Sequence, residues 1–240
     1  GTAYYGCVQG QDLAGNTSAS WAASAATVTY DITPPSGTIT LAAGADYTSS
    51  QSPAIALTES GNAADYQLCG NAATAGNNCT TVHRSWATYT ASPTAHDFGS
   101  EGAKTLYVQF RDAAGNISAT VSDSTTVDTT QPGDTTSVSV PTITNSDFAI
   151  TFTGGTETNP ADYNLKACTN SDCASGCVGG SAATTASSPG TIPVSSLTNG
   201  TAYYGCVQGQ DLAGNTSASW AASAATVTYD ITPPSGTITL

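Results

Sequence analysis

The sequence predicts an all-β chain built from antiparallel β-sandwiches in tandem, and three observations lead there. Apolar residues alternate with small or polar ones, as in Ile55 and Leu57, Leu106, Val108 and Phe110, or Phe148, Ile150 and Phe152, the period of strands buried on one face. No segment sustains a helical period, and turns rich in Gly, Asn, Asp and Pro recur roughly every ten residues. The first 41 residues, Gly1 to Leu41, return letter for letter as Gly200 to Leu240, so the chain holds one period of 199 residues and an overlap. Such a chain is a window on a repeat array, read by its unit.

Within the period lies a weaker repeat. YVQFRDAAGNISA (Tyr107 to Ala119) aligns with CVQGQDLAGNTSA (Cys206 to Ala218), and ADYQLC (Ala64 to Cys69) with ADYNLKAC (Ala161 to Cys168). Each set runs into a Pro-bearing joint, placing joint aspartates at Asp31, Asp128 and Asp230, 97 and 102 positions apart. The expected parsing is 1–31, the last strands of a second-type domain; 32–128, a first-type domain; 129–230, a second-type domain; and 231–240, the first strand of the next. Residues 1–31 supply about two strands, too few to be stable alone, and are expected to take partner strands from chain upstream or from another molecule. In the second-type domain, Leu197, a Gly-containing corner and Tyr203 stand where a tyrosine corner is expected; the first-type domain has Lys104 at the aligned position.

Composition limits the partners. Four Lys and Arg against seventeen Asp and Glu give a formal charge of −13, which argues against nucleic acid or an anionic membrane. No stretch is long and apolar enough for a membrane-spanning helix or a signal peptide, so no direct membrane insertion is expected in this segment. Cys7 repeats Cys206, so each period holds six cysteines: Cys69, Cys79, Cys168, Cys173, Cys177 and Cys206. An even count in a β-rich, Lys-poor chain reads as disulfides and an oxidising compartment, extracellular or at the cell surface. Cys69 and Cys79 are the one pair in the first-type domain. In the second, Cys168–Cys177 with Cys173–Cys206 competes with Cys168–Cys206 and Cys173–Cys177.

The recurring D-x-A-G-N-x-S stretch followed by D-T-T-x-P or D-I-T-P-P joints resembles the bacterial immunoglobulin-like and fibronectin type III-like modules of large surface adhesins and extracellular fibres. The resemblance covers the whole chain and implies tandem immunoglobulin-like antiparallel β-sandwiches. In such a sandwich the loops before the third strand and after the sixth share the pole where the chain enters. This sets Glu59, Asp65 and Asp112 near the joint at Asp31, and Glu157, Asp162 and Asp211 near the joint at Asp128. Calcium wants six to eight oxygens, which carboxylates, carbonyls and Asn116 or Asn215 would supply, and the resemblance implies calcium at such joints. Otherwise no cofactor is expected. Against this, D-x-A-G-N is fully explained as an Asx-turn at a hairpin tip.

The expected function is structural: repeats of an extracellular bacterial fibre, filament or adhesin stalk, giving length and stiffness through disulfide-bonded sandwiches of roughly 35 to 40 Å each. The partners are neighbouring repeats of the same chain, with lateral self-assembly into a filament as an option at strand edges. The alternative is an adhesive module whose repeats contact glycans or partner-cell surfaces, for which Trp86 and Trp220 are the contact aromatics; a repeated Trp serves equally as a packing anchor. No enzyme is expected: His83 and His96 are the two histidines, and neither lies in a nucleophile elbow or a metal motif. Lys166 stands near a third strand as an isopeptide candidate or a solvated lysine. Asn78, Asn116, Asn199 and Asn215 head sequons, two of which the D-x-A-G-N-x-S motif creates for turn reasons.

Overall fold

The computed structural model describes residues 1–70, 79–156, 160–178, 184–185 and 187–236. The fold class read from the sequence is the one observed: the described residues form strands, with single 3-10 turns at Ala42–Gly44 and Val194–Ser196. Contacts divide the chain into two compact units, Gly1–Asp46 with Ser52–Thr126, and Tyr47–Gln51 with Val127–Leu240.

The strands run β1 (Thr2–Val8), β2 (Ala22–Tyr30), β3 (Ser36–Leu41), β4 (Tyr47–Thr48), β5 (Ile55–Ser60), β6 (Ala63–Cys69), β7 (Val82–Thr88), β8 (Gly102–Asp112) and β9 (Val121–Val127). They continue as β10 (Thr136–Ser139), β11 (Ile143–Thr144), β12 (Phe148–Thr153), β13 (Pro160–Cys168), β14 (Cys177–Val178), β15 (Thr184–Thr185), β16 (Gly190–Ile192), β17 (Thr201–Asp211) and β18 (Ala221–Tyr229). The second unit packs the sheet β10–β12–β16 against the sheet β11–β18–β17–β13–β14, in which β15 also pairs with β13 and β11 runs parallel to β18. The first unit sets β3–β5 against β9–β8–β6–β7. β1 and β2 form a separate antiparallel hairpin.

Period-2 alternation builds both cores. Ile55 and Leu57 join Ile39, Leu68, Val108 and Phe110 in one; Phe148, Ile150 and Phe152 join Leu165, Val207 and Val227 in the other. Removing this apolar surface from water is the main driving force. Close sheet approach is set at Gly205, where a Cβ would stand 2.5 Å from Val140 Cγ1 and 3.1 Å from Ile150. The outward face of β17 is covered as well: Cys168, Cys173 and Cys206 are buried in a satellite cluster under Tyr204, Trp220 and Ala222.

At the corner before β17, the Tyr203 hydroxyl accepts a hydrogen bond from the Thr198 amide at 3.0 Å, the geometry of a tyrosine corner. Lys104, at the aligned place in the first unit, donates to Ser100 Oγ at 2.8 Å and so also ties a strand start to the turn four residues earlier. Ile231 to Gly236 carry no strand, and 237–240, the remainder of the expected next strand, lie outside the described residues.

Candidate functional site

The chemistry-bearing residues gather where each sandwich receives its chain. In the first unit the loop after β8 turns back on itself: Asp112 O accepts from the Gly115 amide at 3.2 Å and the Asp112 amide donates to Asn116 O at 3.1 Å. Gly115 sits at φ +91, a conformation open to glycine at low cost. Asp112 Oδ1 accepts the Asn116 amide at 2.9 Å and Oδ2 accepts Asn116 Nδ2 at 2.8 Å. That side-chain amide also donates to the backbone carbonyl of Asp31 at 3.0 Å, joining the loop to the entering joint. Asp31 Oδ1 in turn accepts the Thr33 amide.

The second unit repeats the arrangement. Asn215 donates from its amide to Asp211 Oδ1 at 2.8 Å, and from Nδ2 to Asp211 Oδ2 at 2.7 Å and to the carbonyl of Asp128 at 2.8 Å. Asp128 Oδ1 accepts the Thr130 amide. The motif serine closes the neck of each loop: Ser118 Oγ accepts from the Phe110 amide and Ser217 Oγ from the Gly209 amide. D-x-A-G-N-x-S is thus a clasp whose Asn holds the joint of its own unit. Asp112, Asp128 and Asp211 are buried in it. Burial works to raise the Asp112 pKa, but hydrogen bonds from Asn116 and from the Ala114 and Gly115 amides outweigh it and hold the carboxyl below the usual range.

The exit joint of the second unit is held by a different residue. Asn199 accepts the Ile231 amide on Oδ1 at 2.9 Å and donates to Thr232 Oγ1 at 3.1 Å. Three sequon asparagines, Asn116, Asn199 and Asn215, therefore have their side-chain amides engaged in holding joints; Asn78 lies outside the described residues.

The other acidic residues expected around calcium are placed as follows. Glu59 Oε2 accepts the Ala63 amide at 3.1 Å. Asp65 forms an ion pair with Arg111 at 2.5 Å. Asp162 lies on β13 opposite Gln210, and Glu157 lies outside the described residues. Among the described residues no three His, Cys, Asp or Glu side chains come together as a metal site. Among the described residues the donor set does not fit calcium as arranged, because the clasp carboxylates already accept N–H groups and Asp65 faces a guanidinium.

The sulfurs pair as Cys69–Cys79, Cys168–Cys177 and Cys173–Cys206, and Cys7 is a free, exposed thiol. Strand register decides between the two connectivities open in the second unit. Cys168 stands opposite Cys177 across β13–β14, while across β13–β17 it faces Tyr204, and Cys206 faces Lys166.

The two expected contact aromatics carry cations. The Arg111 guanidinium lies 4.5 Å from the Trp86 ring centroid, and Lys166 Nζ lies 3.7 Å from that of Trp220. Burial pushes the Lys166 pKa down, opposed by Asp172 nearby; neither the isopeptide nor the solvated-lysine reading described this position. Sequence reasoning also missed the His83–His96 pair, whose ring centroids are 4.2 Å apart. Burial first, and then the His83 charge, lower the His96 pKa.

No family model matches the chain. It is 36% identical over 98% of its length to Exoglucanase B of Cellulomonas fimi, and it spans 21% of that protein. Among solved structures, the fibronectin(III)-like modules of Clostridium thermocellum CbhA superpose with a TM-score of 0.53 at 12% identity, covering 83% of this chain and all of theirs. A Ca2+-stabilized adhesin with which an Antarctic bacterium binds ice superposes at 0.36 and 23% identity, over 94% of this chain and 57% of the adhesin. The architecture is that of fibronectin type III-like β-sandwich modules.

Proposed function

We propose that this chain is a spacer region of an extracellular bacterial protein, in which tandem fibronectin type III-like sandwiches set the distance between functional parts. The observation that carries the reading is the repeated clasp: Asn116 on the Asp31 carbonyl and Asn215 on the Asp128 carbonyl spend the most distinctive motif of the chain on holding a joint. The three disulfides suit an oxidising, extracellular setting and lower the chain entropy of each unfolded unit. The partners in this reading are neighbouring repeats, and no catalytic role is assigned.

Two settings fit such a spacer, an adhesin stalk and a secreted polysaccharide-degrading enzyme. The identity with Exoglucanase B favours the second as a setting for modules of this kind. The adhesive alternative is less well supported, because Trp86 and Trp220 each carry a cation on the ring where a sugar would stack.

Small-angle scattering from chains of one, two and three periods tests the spacer reading. A maximum dimension that grows linearly, by roughly 70 to 80 Å for each pair of sandwiches, is expected. Growth with the square root of the number of periods, or saturable binding to a glycan array or to cellulose, would overturn it.

A further inference from the structure

Among the asparagines of the sequence, Asn199 alone is followed by glycine. The step matters chemically, because a backbone nitrogen can attack the side-chain amide of the asparagine before it, and glycine offers no side chain to shield that nitrogen and turns freely. Gly200 sits at φ +75, and a Cβ placed on it would meet nothing within 4 Å. Both residues are exposed, so water reaches the pair.

The exit joint restrains this chemistry. The Gly200 amide, the nucleophile, donates to the Tyr229 carbonyl at 2.7 Å. The Asn199 side chain, the electrophile, accepts the Ile231 amide on Oδ1 at 2.9 Å and donates from Nδ2 to Thr232 Oγ1 at 3.1 Å. Both partners are therefore tied to the same short stretch, Tyr229 to Thr232, where the chain leaves β18. The flanks are fixed as well: the Thr198 amide donates to the Tyr203 hydroxyl at 3.0 Å, and the Thr201 amide to Thr198 O at 3.2 Å. The stretch keeps its own turn in both copies, for the Thr232 amide donates to Asp230 Oδ1 as the Thr33 amide does to Asp31 Oδ1.

We propose that Asn199–Gly200 is a self-modification site gated by the exit joint: opening of the joint frees the Gly200 nitrogen to attack Asn199 Cγ, and the isoaspartyl product no longer holds the joint. In the reaction the Gly200 nitrogen loses its proton and bonds to Asn199 Cγ, while the Cγ–Nδ2 bond breaks and ammonia leaves with that proton. One water then opens the succinimide ring. Opening at the side-chain carbonyl gives aspartate, and opening at the main-chain carbonyl gives isoaspartate. Aspartate keeps an acceptor for the Ile231 amide but has lost the donor to Thr232. Isoaspartate runs the main chain through the former side chain, adding a methylene before Gly200, so the groups that met Ile231 and Thr232 are gone and the Gly200 amide is shifted from Tyr229. Neither step reverses to asparagine, and the site keeps a permanent record of joint opening.

The inference stands on these contacts and goes beyond the spacer reading, which is tested separately by length per period. The test incubates the 240-residue chain at mildly alkaline pH, native and unfolded in urea, and follows Asn199 and its two products by peptide mapping. Three hydrogen bonds must break, each worth about a factor of five, so the native chain is expected to convert about a hundredfold more slowly than the unfolded one. Thr232→Val removes the acceptor of Nδ2 at an exposed position. It is expected to raise the native rate about threefold and to leave the rate in urea and the second unit's calorimetric transition in place. The isoaspartyl chain, separated by its added charge, is expected to lose hydrogen-exchange protection at the Ile231 amide. Equal rates in the native and unfolded chains, an unchanged native rate in Thr232→Val, or an Ile231 amide as protected after conversion as before would each overturn the inference. A faster rate matched by earlier melting of the second unit would put the gate in the whole sandwich and overturn it too.

Discussion

Replacing Asn215 by Ala removes two hydrogen bonds with one cut. The bond to the Asp128 carbonyl joins neutral groups and is worth about 1 kcal/mol net; the bond to the Asp211 carboxylate is worth about 1.5 to 3 kcal/mol. Asp128 and Asp211 are both buried, so water replaces the lost amide poorly. The second unit should lose about 3 kcal/mol, which for a domain of about 100 residues lowers its melting temperature by roughly 12 to 24 °C. Scanning calorimetry of the whole chain reads this directly. Asn16→Ala supplies an internal control, since Asn16 makes the same bond to Asp12 Oδ2 within the β1–β2 hairpin and should leave the second unit's transition in place. A double-mutant cycle with Asp211→Ala then separates the carboxylate bond from the bond to the joint. A loss below about 1 kcal/mol at Asn215, or an equal shift with Asn16→Ala, would refute the idea that the motif exists to hold the joint.

Three further outcomes are expected. Removing the Cys69–Cys79 bridge by paired Ala substitution should cost the first unit about 3 kcal/mol, and removing Cys173–Cys206 should cost the second about 4, from separations of 10 and 33 residues; a reversed order under denaturant titration would sink the chain-entropy account. The depressed pKa of Asp112 contributes stability that is present above the unfolded carboxyl value of 3.8 and lost as pH falls through the lower folded value, so the first unit's acid melting should flatten in Asp112→Asn, and an unchanged acid slope would contradict this. Calcium at a hundred times a site's dissociation constant would add about 2.7 kcal/mol; neither calcium nor chelator is expected to move either transition, and a calcium-dependent rise would show that the carboxylates turn from their N–H donors to a metal.

The fold was legible because alternation is local information: Phe148, Ile150 and Phe152 announce an inward face wherever they occur. Tyr203 was legible for a similar reason, its corner being only five residues long. The clasp was half legible. D-x-A-G-N reads as a turn from its own letters, but the reach of Asn116 to a carbonyl 85 residues earlier is a property of the closed sandwich. The recurrence of motif with joint was the available signal, and it pointed first to calcium. The Trp86–Arg111 and Trp220–Lys166 pairs were out of reach, because they depend on relationships between strands that composition does not carry. The disulfide choice also needed the register that sets Cys168 against Cys177.

The four basic residues have a consequence for how the chain meets a protease that cuts after Lys or Arg. Arg84 lies in β7, Lys104 and Arg111 in β8, and Lys166 in β13. Such a protease needs an extended, unpaired peptide, and here every bond it recognises is part of a sheet, while the loops and joints that open most readily offer it nothing. Trypsin therefore reports the opening of a sheet and not the fraying of a loop, and its cutting rate is a gauge of the rarest motions of this chain.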